Sequence, residues 1–391
     1  HLQFQGQEGE IDGQRACMTM RCDQRHRSIP PYRPMASQSD LLEVLRLLKV
    51  AERPVIVAGG GVNASKGAAE LRRFAELLQI PVATSLNGRG VIAETDPLSL
   101  GVVGTYSRPS ANQAVHHADF CLFIGSRVGS MVTNFWRLPQ PGTTCAQIDI
   151  DAATIGRNRP VSVGVNADAK TALIQLAELA DAETAGARTT WLSQVSDFAE
   201  QWVRSRDTQL HSPSTPIRPE RLCHELSEWL PQDAVIVVDT GHAGMWMASM
   251  FEVTSSRQRF IRSAGHLGWA FPAGIGAKCA APDRPVVTFT GDLGLWYHIA
   301  DIETAVRRSI PLITVVNNNH SGNQSKRGFA LAYDGTPSEK SRELWVHDEV
   351  DFASLANGIG ALGIRVTDPV DINDALQTAL DANRPAIIDV V

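Results

Sequence analysis

The sequence predicts an α/β protein built of two doubly wound, mostly parallel sheets. Short apolar, β-branched runs of strand length alternate with helix-periodic stretches over 41–182, and the same alternation resumes over 215–391. Several of these runs stop abruptly in polar residues and glycine, as strands do at the carboxyl edge of an open parallel sheet. A turn-rich stretch, Ser212-Pro213-Ser214-Thr215-Pro216, separates the two series.

Composition narrows the class without naming it. With 391 residues, 43% hydrophobic and 20% charged, the chain is long enough for two or three ordinary globular domains. A net charge of −6 leaves no basic footprint for nucleic acid. The longest apolar runs are strand-sized and broken by Gly or Pro, well short of a membrane span. The six cysteines (Cys17, Cys22, Cys121, Cys145, Cys223 and Cys279) offer no CxxC spacing, so reduced thiols and a cytoplasmic location are expected.

At the start, His1-Leu2-Gln3-Phe4-Gln5 alternates like a strand entered midway, and no charged start precedes an apolar core as in a signal peptide. Residues 6–40, with Pro30-Pro31 and Pro34, read as an irregular linker. Between 41 and 182 the pattern gives a helix over 41–50, a strand over 55–58, the turn Gly59-Gly60-Gly61, and an amphipathic helix over 64–78. Further strands are predicted over 82–84, 120–124 and 146–150. The glycine run could seat a dinucleotide, but without GxGxxG and an acid placed for a ribose it reads better as a structural turn. Residues 183–214 form a linker with one helix over 191–203. The last domain, 215–391, opens with Pro219 at a helix start and a strand over 234–238 that ends in Asp239-Thr240-Gly241-His242.

The densest arrangement of polar groups lies between Gly291 and Asn323. Val286-Val287-Thr288-Phe289-Thr290 forms a buried strand, Gly291-Asp292-Leu293-Gly294 breaks it, and apolar residues at helical spacing predict a helix over 296–308. A second strand over 312–316 then ends in Asn317-Asn318-Asn319. This βαβ unit aims a carboxylate and a carboxamide at one crevice. Helix N-termini there suit a diphosphate, and one carboxylate, one amide and one carbonyl suit Mg²⁺ when phosphate and water complete the shell. Both turns are also ordinary ways to end a strand.

At this point the chain resembles the thiamine diphosphate (ThDP) enzymes of the acetolactate synthase type, whose signature is GDG, a helix, then NN. The resemblance extends through Glu303-Thr304-Ala305-Val306, Ile310-Pro311, Pro97-Leu98-Ser99-Leu100-Gly101 and Ile124-Gly125-Ser126-Arg127, covering a central domain and a diphosphate-binding domain. It implies ThDP with Mg²⁺ held by Asp292, Asn319 and the Ser321 carbonyl, with Asn318 the fallback for the amide. Leu293 stands where the family has its second glycine, and Gly294 follows it. Gly322 and Asn323 complete that side of the cofactor site.

The resemblance further implies that Asp239, Gly241, His242 and Ala243 sit at the diphosphate, although a His after a Gly turn also serves as a plain cap. Gly265 would accept from the pyrimidine 4′-amino group through its carbonyl. Leu267 would prop the two cofactor rings into a bent V; without the resemblance it is simply core. Val128-Gly129-Ser130-Met131 lacks the acidic stretch of flavin-binding relatives, so FAD is expected to be absent or weakly held. Lys326 and Arg327 lie where relatives gate the substrate, and fit solvated surface equally well.

The implied activity is carboligation or decarboxylation of a 2-oxo acid. Alternatives are a ThDP-dependent acyltransferase or C–C hydrolase, and a non-catalytic cofactor-binding or regulatory subunit. The glutamate that activates the family's pyrimidine ring belongs to a pyrimidine-binding domain. The chain is therefore expected to be inactive alone and to work in an oligomer with a polypeptide carrying that domain.

Overall fold

The computed structural model describes residues 28–181, 188–263, 265–333, 335 and 338–391. The strand expected over 1–5, Cys17 and Cys22 lie outside these residues, as does the opening of the linker at 182–187. Residues 34–391 form one unit that holds both sheets; of the other unit, residues 28–33 are described, as bends and coil.

The first sheet contains β1 (Pro54–Ala58), β2 (Val82–Thr84), β3 (Ser99–Val102), β4 (Phe120–Ile124), β5 (Thr144–Asp149) and β6 (Val163–Asn166) in the order β3-β2-β1-β4-β5-β6. Every pairing is parallel. Strand β1 is buried along its whole length and feeds two cores by alternation. Ile56 and Ala58 pack into one face of the sheet, Val55 and Val57 into the other. The helix Gln38–Val50 presents Leu41, Val44, Leu45 and Leu48 to the first of these cores, at the i, i+3, i+4, i+7 spacing that makes one apolar stripe.

The second sheet contains β7 (Val235–Val238), β8 (Arg259–Arg262), β9 (Val286–Gly291), β10 (Ile313–Asn317), β11 (Leu362–Val366) and β12 (Ala386–Val390). Its order is β11-β12-β10-β9-β7-β8, again all parallel. From β7 the chain goes to β8 on one side and then to β9 on the other. The winding thus reverses between β7 and β9, and a crevice opens outside their carboxyl ends.

Three expected helices differ in detail. The helix predicted over 64–78 is two, Gly60–Ala64 and Ala68–Leu78, because Lys66 takes a φ of 56° between them. The helix predicted over 296–308 is also two, Asp292–Trp296 and Asp301–Arg307. Between them the His298 N–H donates to Leu295 and the Asp301 N–H to His298, three-residue closures that wind tighter than an α-helix. The linker helix is longer than predicted, Thr189–Leu210, with buried Trp191 donating its indole N–H to the Pro54 carbonyl at 3.0 Å. Near the end, 363–366 belongs to β11 and the helix precedes it, at Phe352–Ile359.

The two sheets are joined by a buried charge cluster. Arg89 donates through Nε to Glu94 at 2.7 Å, and its two terminal nitrogens reach the Met247 and Phe251 carbonyls. Arg108 donates to Glu94 at 2.7 Å and to Phe251 at 2.9 Å, while Glu94 accepts the Val253 N–H at 2.9 Å. Burial works against the Glu94 charge, but Arg108 and Arg89 outweigh it and hold the carboxyl below its ordinary range. The cluster grips residues 247–253, the last turn of the helix Gly241–Ser249 and the segment after it, and the helix's other end faces the crevice.

Candidate cofactor site at the carboxyl edge of the second sheet

A cavity of about 560 Å³ occupies the crevice. The loops after β7, β9 and β10 all reach it, so the site is assembled from three strand ends as the switch-point rule requires. After β7, Thr240, Gly241, His242 and Ala243 line the wall at the first turn of the helix Gly241–Ser249. The first N–H groups of a helix have no partner within it and favour an anion. Gly241 has a φ of 75°, a left-handed conformation that glycine adopts without strain.

Asp239 does not line the cavity. It is fully buried behind the wall, where Oδ1 accepts from the Thr240 N–H at 2.8 Å and the Gly268 N–H at 3.0 Å, and Oδ2 accepts from the Thr290 hydroxyl at 2.7 Å. Burial pushes its carboxyl above the ordinary range, with these hydrogen bonds opposing the shift. One carboxylate thereby ties the end of β7 to the end of β9 and to the loop before the helix Ala270–Ala280. Gly294 completes the fit. A Cβ there would stand 2.3 Å from Thr290 Oγ1 and 2.4 Å from Asp239 Oδ2.

Asp292 begins its own helix and faces the cavity. Its Oδ1 accepts from the Leu293 N–H at 2.7 Å and its Oδ2 from the Ser321 N–H at 3.1 Å. The same Ser321 N–H lies 3.2 Å from Asn319 Oδ1. The carboxylate and the carboxamide, expected at one crevice, thus lie beside each other on its wall. Burial raises the Asp292 pKa, opposed by the Leu293 and Ser321 N–H groups and by nearby His347 and His320, and no Lys or Arg pairs with it among the described residues. A buried carboxylate without a cation, beside an amide oxygen, is a donor set of hard oxygens suited to Mg²⁺. It includes a single carboxylate, in keeping with the absence of clusters of three or more His, Cys, Asp or Glu poised for a metal among the described residues.

Asn318 points elsewhere. It is buried, and its amide donates to the Val350 carbonyl at 3.0 Å and to Asp389 at 2.8 Å. Ser321 and Gly322 are fixed by an antiparallel bridge to Val346 and by the Gly322 N–H donating to Trp345 at 2.7 Å. The Ser321 carbonyl accepts from the Asn323 N–H at 3.0 Å, and its hydroxyl donates to Asn323 Oδ1 at 3.1 Å. Leu293 lies over Gly322, where a Cβ would stand 3.0 Å from Leu293 Cδ1.

Gly265 and Leu267 line the same cavity. Gly265 has a φ of 87°, and Leu267 Cδ1 would be 3.9 Å from a Cβ at Gly241. Lys326 is exposed on the helix Asn323–Ala332.

Other cavity residues were not anticipated from the sequence. Tyr106 and Met131 come from loops around the first sheet, and Arg262 closes β8. The sequence signal for Arg262 was weak, because Arg259-Phe260-Ile261-Arg262 is too short and too charged to read as a strand. Tyr106 sits in a loop without periodicity.

In the first sheet, the corresponding switch point between β1 and β4 is closed by backbone. The Gly59 and Gly61 N–H groups donate to the Ile124 and Gly125 carbonyls at 2.8 and 2.9 Å, and a Cβ at Gly59 would stand 2.1 Å from the Gly125 oxygen. Those two amides are already engaged. The loop is a turn packed against a turn.

A second sheet that sets a helix N-terminus, a buried carboxylate and a carboxamide around one switch-point cavity defines a protein of the diphosphate-cofactor class. Family comparison specifies which. The "Thiamine pyrophosphate enzyme, central domain" matches residues 41–176, and the "Thiamine pyrophosphate enzyme, C-terminal TPP binding domain" matches 239–390. The chain belongs to the thiamine pyrophosphate enzyme family.

Among curated proteins it is 32% identical over 395 residues to the "Probable acetolactate synthase large subunit" of Methanocaldococcus jannaschii, covering 98% of this chain and 64% of that protein. It is 29% identical over 367 residues to the acetolactate synthase large subunit of Haemophilus influenzae, covering 92% and 62%. To the glyoxylate carboligase of Escherichia coli O157:H7 it is 32% identical over 379 residues, covering 93% and 63%. The chain thus spans about three-fifths of the length of the curated relatives it matches.

Proposed function

We propose that this chain provides the central and cofactor-binding parts of a ThDP- and Mg²⁺-dependent carboligase or decarboxylase acting on a 2-oxo acid. The observation that carries the reading is the convergence of Asp292 and Asn319 on Ser321 in a cavity whose opposite wall is the N-terminus of the helix Gly241–Ser249. Asp292, Asn319 and the Ser321 carbonyl hold the metal, and the first turn at Gly241, His242 and Ala243 receives the diphosphate through backbone N–H groups. Asp239 acts one layer back, fixing the β7 and β9 loops against each other. Gly265 and Leu267 orient the aromatic end of the cofactor, and Leu293, Gly294, Gly322 and Asn323 shape the metal side. When bound, ThDP supplies a nucleophilic carbon and an electron sink for loss of carbon dioxide from a 2-oxo acid.

Neither matched domain is the one that carries the pyrimidine-activating glutamate, so turnover requires a polypeptide that presents a pyrimidine-binding domain to this cavity. The relatives' designation as large subunits supports an oligomeric assembly with further subunits. FAD has no role in this reading; the engaged amides at Gly59 and Gly61 support its absence or weak retention, which the visible absorbance of the purified protein measures. In the cell we place the protein in the cytoplasm, in keeping with its free cysteines Cys121, Cys145, Cys223 and Cys279. No helix among the described residues is long and apolar enough to cross a membrane.

The test is carbon dioxide release from pyruvate and glyoxylate, by this chain alone and after addition of a polypeptide carrying the pyrimidine-binding domain. Turnover only in the mixture supports the proposal. Full turnover by the pure chain removes the partner requirement, and none in either condition with saturating ThDP and Mg²⁺ removes the enzymatic reading.

A further inference from the structure

One cation in the cavity wall has no use in the chemistry assigned so far. Arg262, at the end of β8, lines the cavity and donates through Nη2 to the Thr240 hydroxyl at 3.2 Å. Its Nε is buried without a hydrogen-bond partner. The nearby Asp239 carboxylate acts on it through charge alone, its hydrogen bonds going to Thr240, Gly268 and Thr290. Burial lowers the Arg262 pKa, with the charges of Tyr106 and Asp239 opposing the shift.

The side chain is nevertheless held in place. Its guanidinium carbon lies 5.3 Å from the centroid of the Tyr106 ring, and Gln324 Nε2, from the opposite wall, lies 3.3 Å from the Tyr106 hydroxyl. Gly244 leaves room for the fork: a Cβ there would stand 3.3 Å from Arg262 Nε. A planar, always-charged donor, oriented by an aromatic face and short of acceptors, matches the two-oxygen edge of a carboxylate or phosphate.

We propose that Arg262, oriented by Tyr106, is the anion-recognising residue of this cavity and takes an oxyanion of the bound ligand. The inference rests on the cofactor reading above and deepens it. Two sources carry that chemistry, the terminal phosphate of the cofactor and the carboxylate of a 2-oxo acid, and the experiment separates them.

Wild type, Arg262→Gln and Arg262→Lys are titrated calorimetrically, first with ThDP in the presence of Mg²⁺ and then, once ThDP is saturating, with pyruvate. Thermal melts establish that each variant is folded. Loss of one charged hydrogen-bonding partner predicts a weakening of roughly tenfold to a hundredfold in Arg262→Gln, with part of it recovered in Arg262→Lys. A loss in the ThDP titration identifies the phosphate; a loss confined to pyruvate identifies the carboxylate. If Arg262→Gln is unfolded, Arg262→Lys decides alone, because it keeps the charge and loses the fork. Folded variants that bind both ligands as wild type does overturn the inference and leave the cofactor reading intact. A wild-type chain that binds no ThDP overturns both.

Discussion

Asp292 and Asn319 meet at one backbone hydrogen: Oδ2 of the first and Oδ1 of the second lie 3.1 and 3.2 Å from the Ser321 nitrogen. The two side chains come from the ends of neighbouring strands, β9 and β10, whose last residues Gly291 and Asn317 are register partners. Parallel pairing therefore puts them side by side. The Ser321 N–H thus already bridges the two oxygens, and of these the Asp292 carboxylate is buried and has no Lys or Arg partner among the described residues.

Asp292→Ala is expected to abolish the Mg²⁺ dependence of ThDP binding and to weaken that binding by several kcal/mol, the contribution of a metal bridging protein and phosphate. Asn319→Ala weakens it in the same titration. Asn318→Ala instead leaves ThDP affinity unchanged and lowers stability by about 1–3 kcal/mol, because the Asp389 carboxylate and the Val350 carbonyl lose their donor. A denaturant melt of Asn318→Ala beside the ThDP titration of Asn319→Ala distinguishes the two; exchanged phenotypes would move the metal ligand to Asn318.

Gly294 and Leu293 should respond differently. Any side chain at Gly294 meets the buried Thr290 hydroxyl and Asp239 carboxylate at under 2.5 Å. Gly294→Val is therefore expected to cost about 1–3 kcal/mol or more of stability through overpacking, and to weaken ThDP as the loop shifts. Leu293→Gly removes only a side chain that rests on Gly322, so its effect on ThDP affinity is smaller. The reverse order in calorimetry would show that the turn has been misread.

The Arg89–Glu94–Arg108 cluster gives a pH-dependent prediction. The Glu94 carboxyl is held below its ordinary 4.5 in the folded protein. Its contribution to stability is thus complete above that value and is lost as pH falls through the lower folded value. Glu94→Gln leaves buried Arg89 without its carboxylate and Arg108 with only Glu252 at 3.9 Å, and is expected to destabilise by about 3–5 kcal/mol. It should also flatten the acid limb of a plot of melting temperature against pH. An unchanged limb would show that the cluster does not govern acid stability.

Much of the site was legible because strand ends announce themselves. Asp292 and Asn319 each lie within three residues of the end of a β-branched run, so a parallel sheet had to place them at one edge. The loop after β7 followed by the same logic, whereas the Gly265–Leu267 turn came only from the family resemblance. The role of Asp239 was not legible, since a carboxylate after a strand reads the same whether it faces a ligand or, as here, ties three backbone segments from behind. Arg262 and Tyr106 were missed for a different reason. Strand β8 is four residues with arginine at both ends, and Tyr106 reaches the cavity from a loop after β3 of the first sheet, a long-range proximity that no local pattern encodes. The helix break between 296 and 301 was hidden because tight three-residue turns preserve apolar spacing.

The account's central claim is that the Asp292–Asn319 crevice binds ThDP through a metal. Titration of the full chain with ThDP in Mg²⁺ and again in excess chelator tests it most directly. Saturable binding in Mg²⁺ that weakens at least tenfold in chelator is the predicted result; no binding in either condition, or equal binding in both, would contradict it.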